Sequence, residues 1–574
     1  MFKKIILGLL FLFIFSVTFT WSRDFNQDLG RHIKLAEIIL STRSVPSTNL
    51  FSFTNQDYPF FNHHWLSEVI FYVMNALLGF PLLMFLKVLL VMAAVGIGTY
   101  TSIKKGGFFV AVFFTTIFVP LLLERSDIRP ELFGYVLFSL MLMILLHYPS
   151  SKKLLIFLPI SLFLWINFHI SFVFGVMLAF FLIFKMLIIH KKELFKDKKI
   201  IAILITSFIA LLINPHGIQG LLYPLSIFQN YGYPIVENQD LLFLHAVTFN
   251  PLITYFFLLS PLILFGALIL AIKKKYIEAL ILLLFYFLAF KQIRHMPFFV
   301  LTTIPVLSIA YADFLSFLFK RIKKDINIIR TVGYTILLCI LPLGIYFFAG
   351  NVYSRTFDIQ SRFGYHLLED GKKASDFMLE NKIDGNIFNN FDIGGYLIYR
   401  LYPQYKVFID NRPEAYPKDF IQDIYIKLQQ DPELQKHIFE KYQIRTVVFA
   451  HTDQTPWAET FLIHMYKDTS WRMVYLDRAM VIFTKDKKVE DIRLSAGYFN
   501  NLIDTQSDYL YLLRLARIFS LFEQNESFQK AFDKAAELNL QSCTIQKTLY
   551  NQQLQNPLLL LRAEQLKKDK WYCF

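Results

Sequence analysis

The chain has 574 residues, 55% of them hydrophobic, with 63 Phe and a mean hydropathy of +0.43. That is too apolar for a water-soluble protein of this length, and apolar runs of span length recurring to about Gly350 mark a polytopic α-helical membrane protein. The formal net charge of +14 is placed as Lys and Arg between those runs, where it reports membrane topology and gives no reason to expect nucleic acid. Cys339, Cys543 and Cys573 have no metal-type spacing and imply no disulfide framework.

In chain order the predicted spans are 5–20, 82–103, 107–123, 131–149, 154–166, 170–189, 200–213, 252–272, 276–290, 298–316 and 331–349, about 11 in all. The first carries Lys3 and Lys4 but lacks a small-residue cleavage site, so it reads as a retained helix, not a signal peptide. Segments 154–166 and 200–213 are short for spans, but 154–189 is too long for one helix and reads as a hairpin with its tip at Asn167 and His169. Alternate connections hold Lys3/Lys4, Lys104/Lys105, Lys152/Lys153, the run Lys191–Lys199, Lys273–Lys275 and Lys320–Arg330. This pattern predicts a cytoplasmic N-terminus and an extracytoplasmic C-terminal region.

The first outward loop, Trp21 to Glu68, holds Asp24, Asp28, His32, His63, His64 and Glu68. A helix over Asp24–Leu40 puts Phe25, Leu29, Ile33, Ala36 and Leu40 in one stripe, suited to lying along the membrane surface. Asp24, Asp28 and His32 then share a polar face, although Gly30 weakens the helix. A second helix is predicted with Asn62 as N-cap and with His64 and Glu68 on one face. Such carboxylates and imidazoles can converge on a reacting group as base or as metal ligands. The plainer reading is a polar face turned to water, which suffices for any one of them. Glu68, leading straight into an apolar segment, tilts the set toward function.

Further along, the outward connections carry Glu124, Arg125, Asp127 and Arg129, then Asn167 and His169. After them come Asn214-Pro215-His216-Gly217 with Glu237 and Asp240, and finally Arg294 and His295. Outward arginines run against the positive-inside trend. Arg suits a phosphate, which it holds by bidentate charge-assisted hydrogen bonds, whereas a headgroup anchor is the simpler role.

From residue 351 to 490 the pattern becomes a small α/β domain. Strands are predicted in GNIFNN, KVFID, RTVVFAH, RMVYLD and AMVIFTK, with helices near 371–382, 393–402 and 416–442. Asp392 is placed to cap a helix. Asp410 and Arg412 fall at a strand end, where open α/β sheets bind ligands or where the two simply stabilise a turn. Residues 491–574 form a helical tail with one tetratricopeptide-like unit.

The series DLGRHIKLAEIIL, VPSTNLFSFT, NHHWLSEV, RPELFGY, NPHG, IRHMPFF, FDIGGYLIYRLYP and VFIDNRPEAY resembles, in this order, a bacterial group within the GT-C superfamily of polytopic glycosyltransferases. It covers most of residues 20–420. The resemblance implies a multi-pass enzyme of the bacterial cytoplasmic membrane that takes a sugar from a polyprenyl-phosphate-linked donor. The acceptor, on the outer face, would be a glycan, a lipid or a protein. An acidic residue of the first outer loop is implied as catalytic base or metal ligand; Asp28 matches best, with Asp24 as alternate and Glu68 a further acidic candidate. Donor phosphate would fall to Arg129 and Arg294, with Arg125 and His295 beside them, and His32, His64 and His169 complete the candidate set. A divalent cation is implied, yet the loop has no DxD or ExD pair to hold it. A transporter or lipid-handling protein is the competing class, and predicts charges along a path and internal repeats. Here the main intramembrane charges are Lys87 and Lys185, and no repeat is visible. An assembly scaffold that docks through the tail is a third.

Overall fold

A computed structural model describes residues 2–21, 28–125, 127–190, 197–225, 232–248, 250–322, 326–359, 362–495, 497–540 and 542–545. Asp24 and Phe25 lie outside the described residues. The membrane half is built from α1 (Phe2–Thr18), α2 (Leu29–Thr42), α3 (Trp65–Leu78), α4 (Phe80–Gly106), α5 (Phe108–Phe118), α6 (Glu131–His147), α7 (Phe157–Phe168) and α8 (Phe172–His190). It continues with α9 (Lys198–Leu212), α10 (Gly217–Leu222), α11 (Leu241–Val247), α12 (Pro251–Ile272), α13 (Tyr276–Lys291), α14 (Met296–Ile322) and α15 (Ile326–Ala349).

Every segment predicted to span is helical. Among the described residues, 6 helices are long and apolar enough to cross a membrane, or 7 if α9 and the segment Gly217–Leu225, bent by 97° against it, count as one span. Helices α1, α6, α7 and α13 are shorter, against the roughly 20 residues a straight crossing takes. Large apolar side chains such as Phe85, Phe180, Leu258 and Leu343 are exposed on the helix exteriors, a surface that hydrocarbon satisfies and water does not. The intramembrane lysines are both engaged. Lys87 Nζ donates to the Thr20 carbonyl (3.3 Å), and Lys185 pairs with Glu278 (3.1 Å).

Close helix contact fixes the α7–α8 hairpin. A Cβ on Gly134 or Gly175 would stand 2.9 or 2.7 Å from the Trp165 ring, so only glycine lets that buried indole lie between α6 and α8. Trp165 Nε1 donates to Ser171 Oγ (3.0 Å), which sets the tip bearing His169.

The first outer loop departs from the predicted pair of surface helices. Helix α2 starts at Leu29 with Asp28 as its N-cap residue, and its first half is buried nearly all round, including Arg31, His32 and Leu35, whereas Glu37, Leu40 and Ser41 near its end are exposed. Gly30 serves packing, since a Cβ there would come within 2.7 Å of Tyr399 Cβ. The second helix begins at Trp65 with His64, not Asn62, at the N-cap. Asn62 is turned to other partners, described below.

Beyond α16 (Val352–Thr356) and α17 (Lys372–Glu380), the chain forms a four-stranded sheet with order β1-β2-β4-β3. Strands β1 (Asn386–Asn389) and β2 (Ile444–Ala450) are parallel, and β3 (Arg472–Leu476) and β4 (Met480–Thr484) complete it antiparallel. Helices α18 (Gly394–Leu401), α19 (Pro432–Lys441) and α20 (Pro456–Lys467) accompany it. KVFID is not a sheet strand. Asn389 takes its backbone instead, accepting from Phe408 N (3.0 Å) and donating to Ile409 O (2.7 Å), while Val407 N bonds Phe51 O (3.0 Å) in the first outer loop. The predicted helix 416–442 is also broken, into a π-helical stretch Phe420–Ile426 and α19. Pro432 disfavours helix at the residue before it, and Asp431 there caps the amides of Glu433 and Leu434.

One apolar core runs from α1 through the bundle into Ile387, Leu397 and Val448, so the C-terminal region is fused to the outer loops. The tail forms α21 (Tyr498–Asp504), α22 (Tyr509–Leu521) and α23 (Asn525–Leu538), the last two as the predicted helical hairpin.

Candidate functional site

A cavity of about 2240 Å³ lies between one end of the helix bundle and the C-terminal region, lined by both. Asp28, Arg125, Arg129, Arg294 and His295 all open onto it, as do His32, His64 and His169. Residues from four separate connections between the helices therefore share one space.

Asp28 leaves the α2 amides uncapped and turns its carboxylate into the cavity. Oδ1 accepts from Arg31 Nη2 (2.8 Å) and Asn411 Nδ2 (2.8 Å), and Oδ2 faces Arg129 Nη1 at 3.6 Å. Burial opposes its ionisation, but the charges of Arg31, Arg129 and His32 outweigh that and hold it well below the usual carboxylate range.

Arg129 Nη1 also pairs with Glu237 (2.9 Å), and Arg125 pairs with both Glu237 and Glu131 (2.7 Å to the latter). Arg294 donates to Asn238 Oδ1 (3.0 Å). Pro130 directly after Arg129 sets the start of α6, whose first-turn Glu131 anchors Arg125. Despite the cost of burial, Arg129, Arg125 and Arg294 draw Glu237 down to about 2. The result is a concentrated field of guanidinium groups, compensated by carboxylates, of the kind that binds phosphate oxygens.

A second wall is imidazole. His32 Nδ1 donates to Glu68 Oε1 (2.8 Å), while Asn62 Nδ2 donates to Glu68 Oε2 (2.6 Å) and Asn62 Oδ1 accepts from His64 N. Glu68 is fully buried behind His32 and does not reach the cavity, so it is not placed as a base. The rings of His63 and His64 lie 4.0 Å apart, and His64 stacks on His169 at 5.0 Å. Burial first, then neighbouring histidines, lowers His63 to about 3 and holds His64 and His169 well below the usual imidazole value. His169 Nδ1 accepts from Ser171 N (3.1 Å), which leaves its proton on Nε2. Ligand-type atoms of His32, His64 and Glu68 lie within 4.8 Å of one another.

Asp410 and Arg412 are elsewhere. They form a buried bidentate pair (2.7 and 2.8 Å), with Arg412 also donating to Asn49 Oδ1 (2.8 Å) and Tyr416 OH donating to Asp410 Oδ2 (2.8 Å). The Arg412 guanidinium lies 4.5 Å from the Phe60 ring centre. This pair fastens the first outer loop to the C-terminal region and does not line the cavity, so the turn reading is the one that fits. Asp392 does line it, and caps nothing, because α18 begins with Ile393 at its N-cap. Burial, together with the charges of Asp453, Asp28 and Glu237, pushes Asp392 up to about 7.

Sequence reasoning passed over Arg31, Asn411 and the role of Glu237. Arg31 stood at i+3 from Asp28, a readable signal. Asn411 lay inside a quoted motif but was overshadowed by its charged neighbours, and Glu237 had no local signal.

The fold is shared with solved structures of an archaeal oligosaccharyltransferase. The archaeal oligosaccharyltransferase AglB from Archaeoglobus fulgidus, in complex with an inhibitory peptide and a dolichol-phosphate, matches with a TM-score of 0.54 at 11% identity, over 97% of this chain and 86% of that one. An Archaeoglobus fulgidus oligosaccharyltransferase tethered to an acceptor peptide containing the NVT sequon matches with a TM-score of 0.53 at 12% identity, over 84% of this chain and 74% of that one. ArnT from Cupriavidus metallidurans in the apo state gives 0.48 at 11% identity, over 85% and 98%. No family model matches the chain, and no curated protein matches it by sequence.

Proposed function

We propose that the protein transfers a sugar from a polyprenyl-phosphate-linked donor to an acceptor hydroxyl at the outer face of the bacterial cytoplasmic membrane. One observation carries this reading: Arg125, Arg129 and Arg294, from different connections, share a cavity with Asp28 at the outer helix ends. The fold shared with AglB, solved with a dolichol-phosphate, supports it.

In the proposed reaction the donor phosphate takes its oxygens into the Arg125, Arg129 and Arg294 field, where Glu237 and Asn238 now sit. The acceptor oxygen forms a bond to the anomeric carbon, and the bond from that carbon to the phosphate oxygen breaks. Its electron pair leaves on the polyprenyl phosphate, stabilised by the guanidinium groups. The acceptor proton passes to Asp28, which Arg31 and Asn411 hold in place. A carboxylate of such low basicity orients the hydroxyl and takes its proton late, once the oxygen has begun to bond.

The topology that goes with this is eleven spans within residues 1–350, an inner N-terminus, and an outer α/β region, 351–490, forming the far wall of the cavity. The described tail helices, α21 to α23, pack on that region. A glycan, lipid or protein acceptor would enter between the two walls. A transporter has no observation in its favour, since Lys87 and Lys185 are each tied to a local partner. The test is transfer by the purified full-length protein from a panel of polyprenyl-phosphate sugars; no transfer from any donor would overturn the reading.

A further inference from the structure

We propose that His32, His64 and Glu68 hold a single divalent transition-metal ion of the zinc class. This site is separate from the transfer reaction proposed above and does not depend on it. The resemblance implies Asp28 as catalytic base or metal ligand, and the surroundings of Asp28 argue against the second of these. Its carboxylate faces Arg31 and Arg129, so a cation there would meet two guanidinium charges at short range. One turn further along α2, the ligand types change. His32 on α2, with His64 and Glu68 at the head of α3, bring two imidazoles and a carboxylate within 4.8 Å of one another.

Three features favour a metal over a plain hydrogen-bonded core. Glu68 is fully buried, with His32 and Asn62 as its hydrogen-bond donors, and a dication is the partner that best compensates a carboxylate buried in this way. Asn62 orients the second carboxylate oxygen, in the manner of the outer partners that fix metal ligands. The ring nitrogens of His64 make no hydrogen bond among the described residues, although His64 is packed against His32, His63 and His169. Two imidazoles with one carboxylate suit zinc and its neighbours and not magnesium or calcium, which take oxygen ligands.

His32 Nδ1 and Glu68 Oε1 are already 2.8 Å apart, so the wide separations all involve His64. A tetrahedral zinc site has ligand–ligand edges of roughly 3.3 Å. Metal entry therefore draws the His64 ring inward by side-chain rotation. The bound ion would cross-link α2 to α3 and steady the start of α2, where Asp28 stands.

The experiment uses the full-length protein in detergent, stripped with chelator and titrated with Zn²⁺ alone, then with Co²⁺ as a spectroscopic probe. One ion per chain is expected, with a Co²⁺ spectrum of mixed nitrogen and oxygen ligation and a rise in melting temperature. His64→Ala is expected to weaken Zn²⁺ binding at least tenfold and to remove the thermal shift. Glu68→Gln serves as a second variant, and His64→Asn replaces His64→Ala if the latter elutes as aggregate. Absence of stoichiometric Zn²⁺ binding, or binding unchanged in both a His64 variant and Glu68→Gln, overturns the site. Neither readout involves sugar transfer, so failure here leaves the transferase reading standing.

Discussion

Asn411 Nδ2 donates to Asp28 Oδ1 at 2.8 Å, joining two residues 383 positions apart across the cavity. One belongs to the head of a first-loop helix, the other to the C-terminal region. The C-terminal region therefore takes part in setting the carboxylate, and it does so with a neutral group that leaves the charge on Asp28 intact. Asn411→Ala removes a hydrogen bond to an ionised acceptor, worth about 1.5–3 kcal/mol. A fall of roughly 10- to 100-fold in kcat/KM for transfer is expected, and an unchanged value would remove Asn411 from the site.

Arg129 stands between two carboxylates, Asp28 and Glu237. Arg129→Lys keeps the charge but loses the planar fork that matches phosphate. Donor affinity, read as binding of polyprenyl phosphate to the purified protein, is expected to drop about tenfold or more, in line with one lost charge-assisted contact. Equal affinity in the variant would place donor phosphate elsewhere.

Glu237 fills the arginine field that the donor is proposed to use, with pairs to both Arg125 and Arg129. Glu237→Gln should therefore tighten binding of the bare polyprenyl phosphate, because the anion no longer displaces a carboxylate. Weaker binding in the variant would show that Glu237 supports the donor instead of competing with it.

The Asp410–Arg412 pair is a structural lock. Arg412→Met removes the guanidinium paired with buried Asp410, leaving it the Tyr416 hydroxyl, the backbone amide of residue 412 and the charge of Arg31, and breaking a buried pair in this way costs about 3–5 kcal/mol. A large fall in melting temperature is expected. A variant as stable as wild type would contradict the proposed anchoring of the first outer loop.

Asp392 gives a pH signature. Its folded-state pKa, about 7, lies above the ordinary 3.8, so the folded protein binds more protons than the unfolded chain between those values. Its contribution to stability is present below about pH 4 and is lost as pH rises through about 7. Asp392→Asn should raise the melting temperature at about pH 8 and lose that advantage near pH 4. A stabilisation independent of pH would point to packing, not charge.

Much of this was written in the chain. Apolar runs located the helices α1, α4 to α9 and α12 to α15 because lipid demands length and hydrocarbon, both local properties. Strands β1 to β4 were legible for the same reason, as short buried runs between turn residues. KVFID looked like a strand but is held by the Asn389 side chain and the Phe51 backbone, partners that no window of sequence contains. The predicted long helix ignored Pro432. In the candidate site, Asp28 and the arginines stand out in the sequence because charge beside the apolar runs of a greasy chain is costly and therefore informative. Asn411 and Glu237 became visible only in three dimensions, since each acts through a contact made across the cavity. Asn62 precedes a helix as a cap residue would, but its side-chain amide holds Glu68 instead.

The central claim is that Asp28 takes the acceptor proton in a transfer from a polyprenyl-phosphate sugar. The direct measurement is transfer by purified wild-type and Asp28→Asn protein from the same donor, with binding of the donor followed in parallel. Asn at this position keeps the shape and an oxygen for Arg31 but cannot take a proton. The account predicts a loss of kcat of about 100-fold or more, the scale of general base catalysis, with donor binding retained. Full transfer by Asp28→Asn would contradict it.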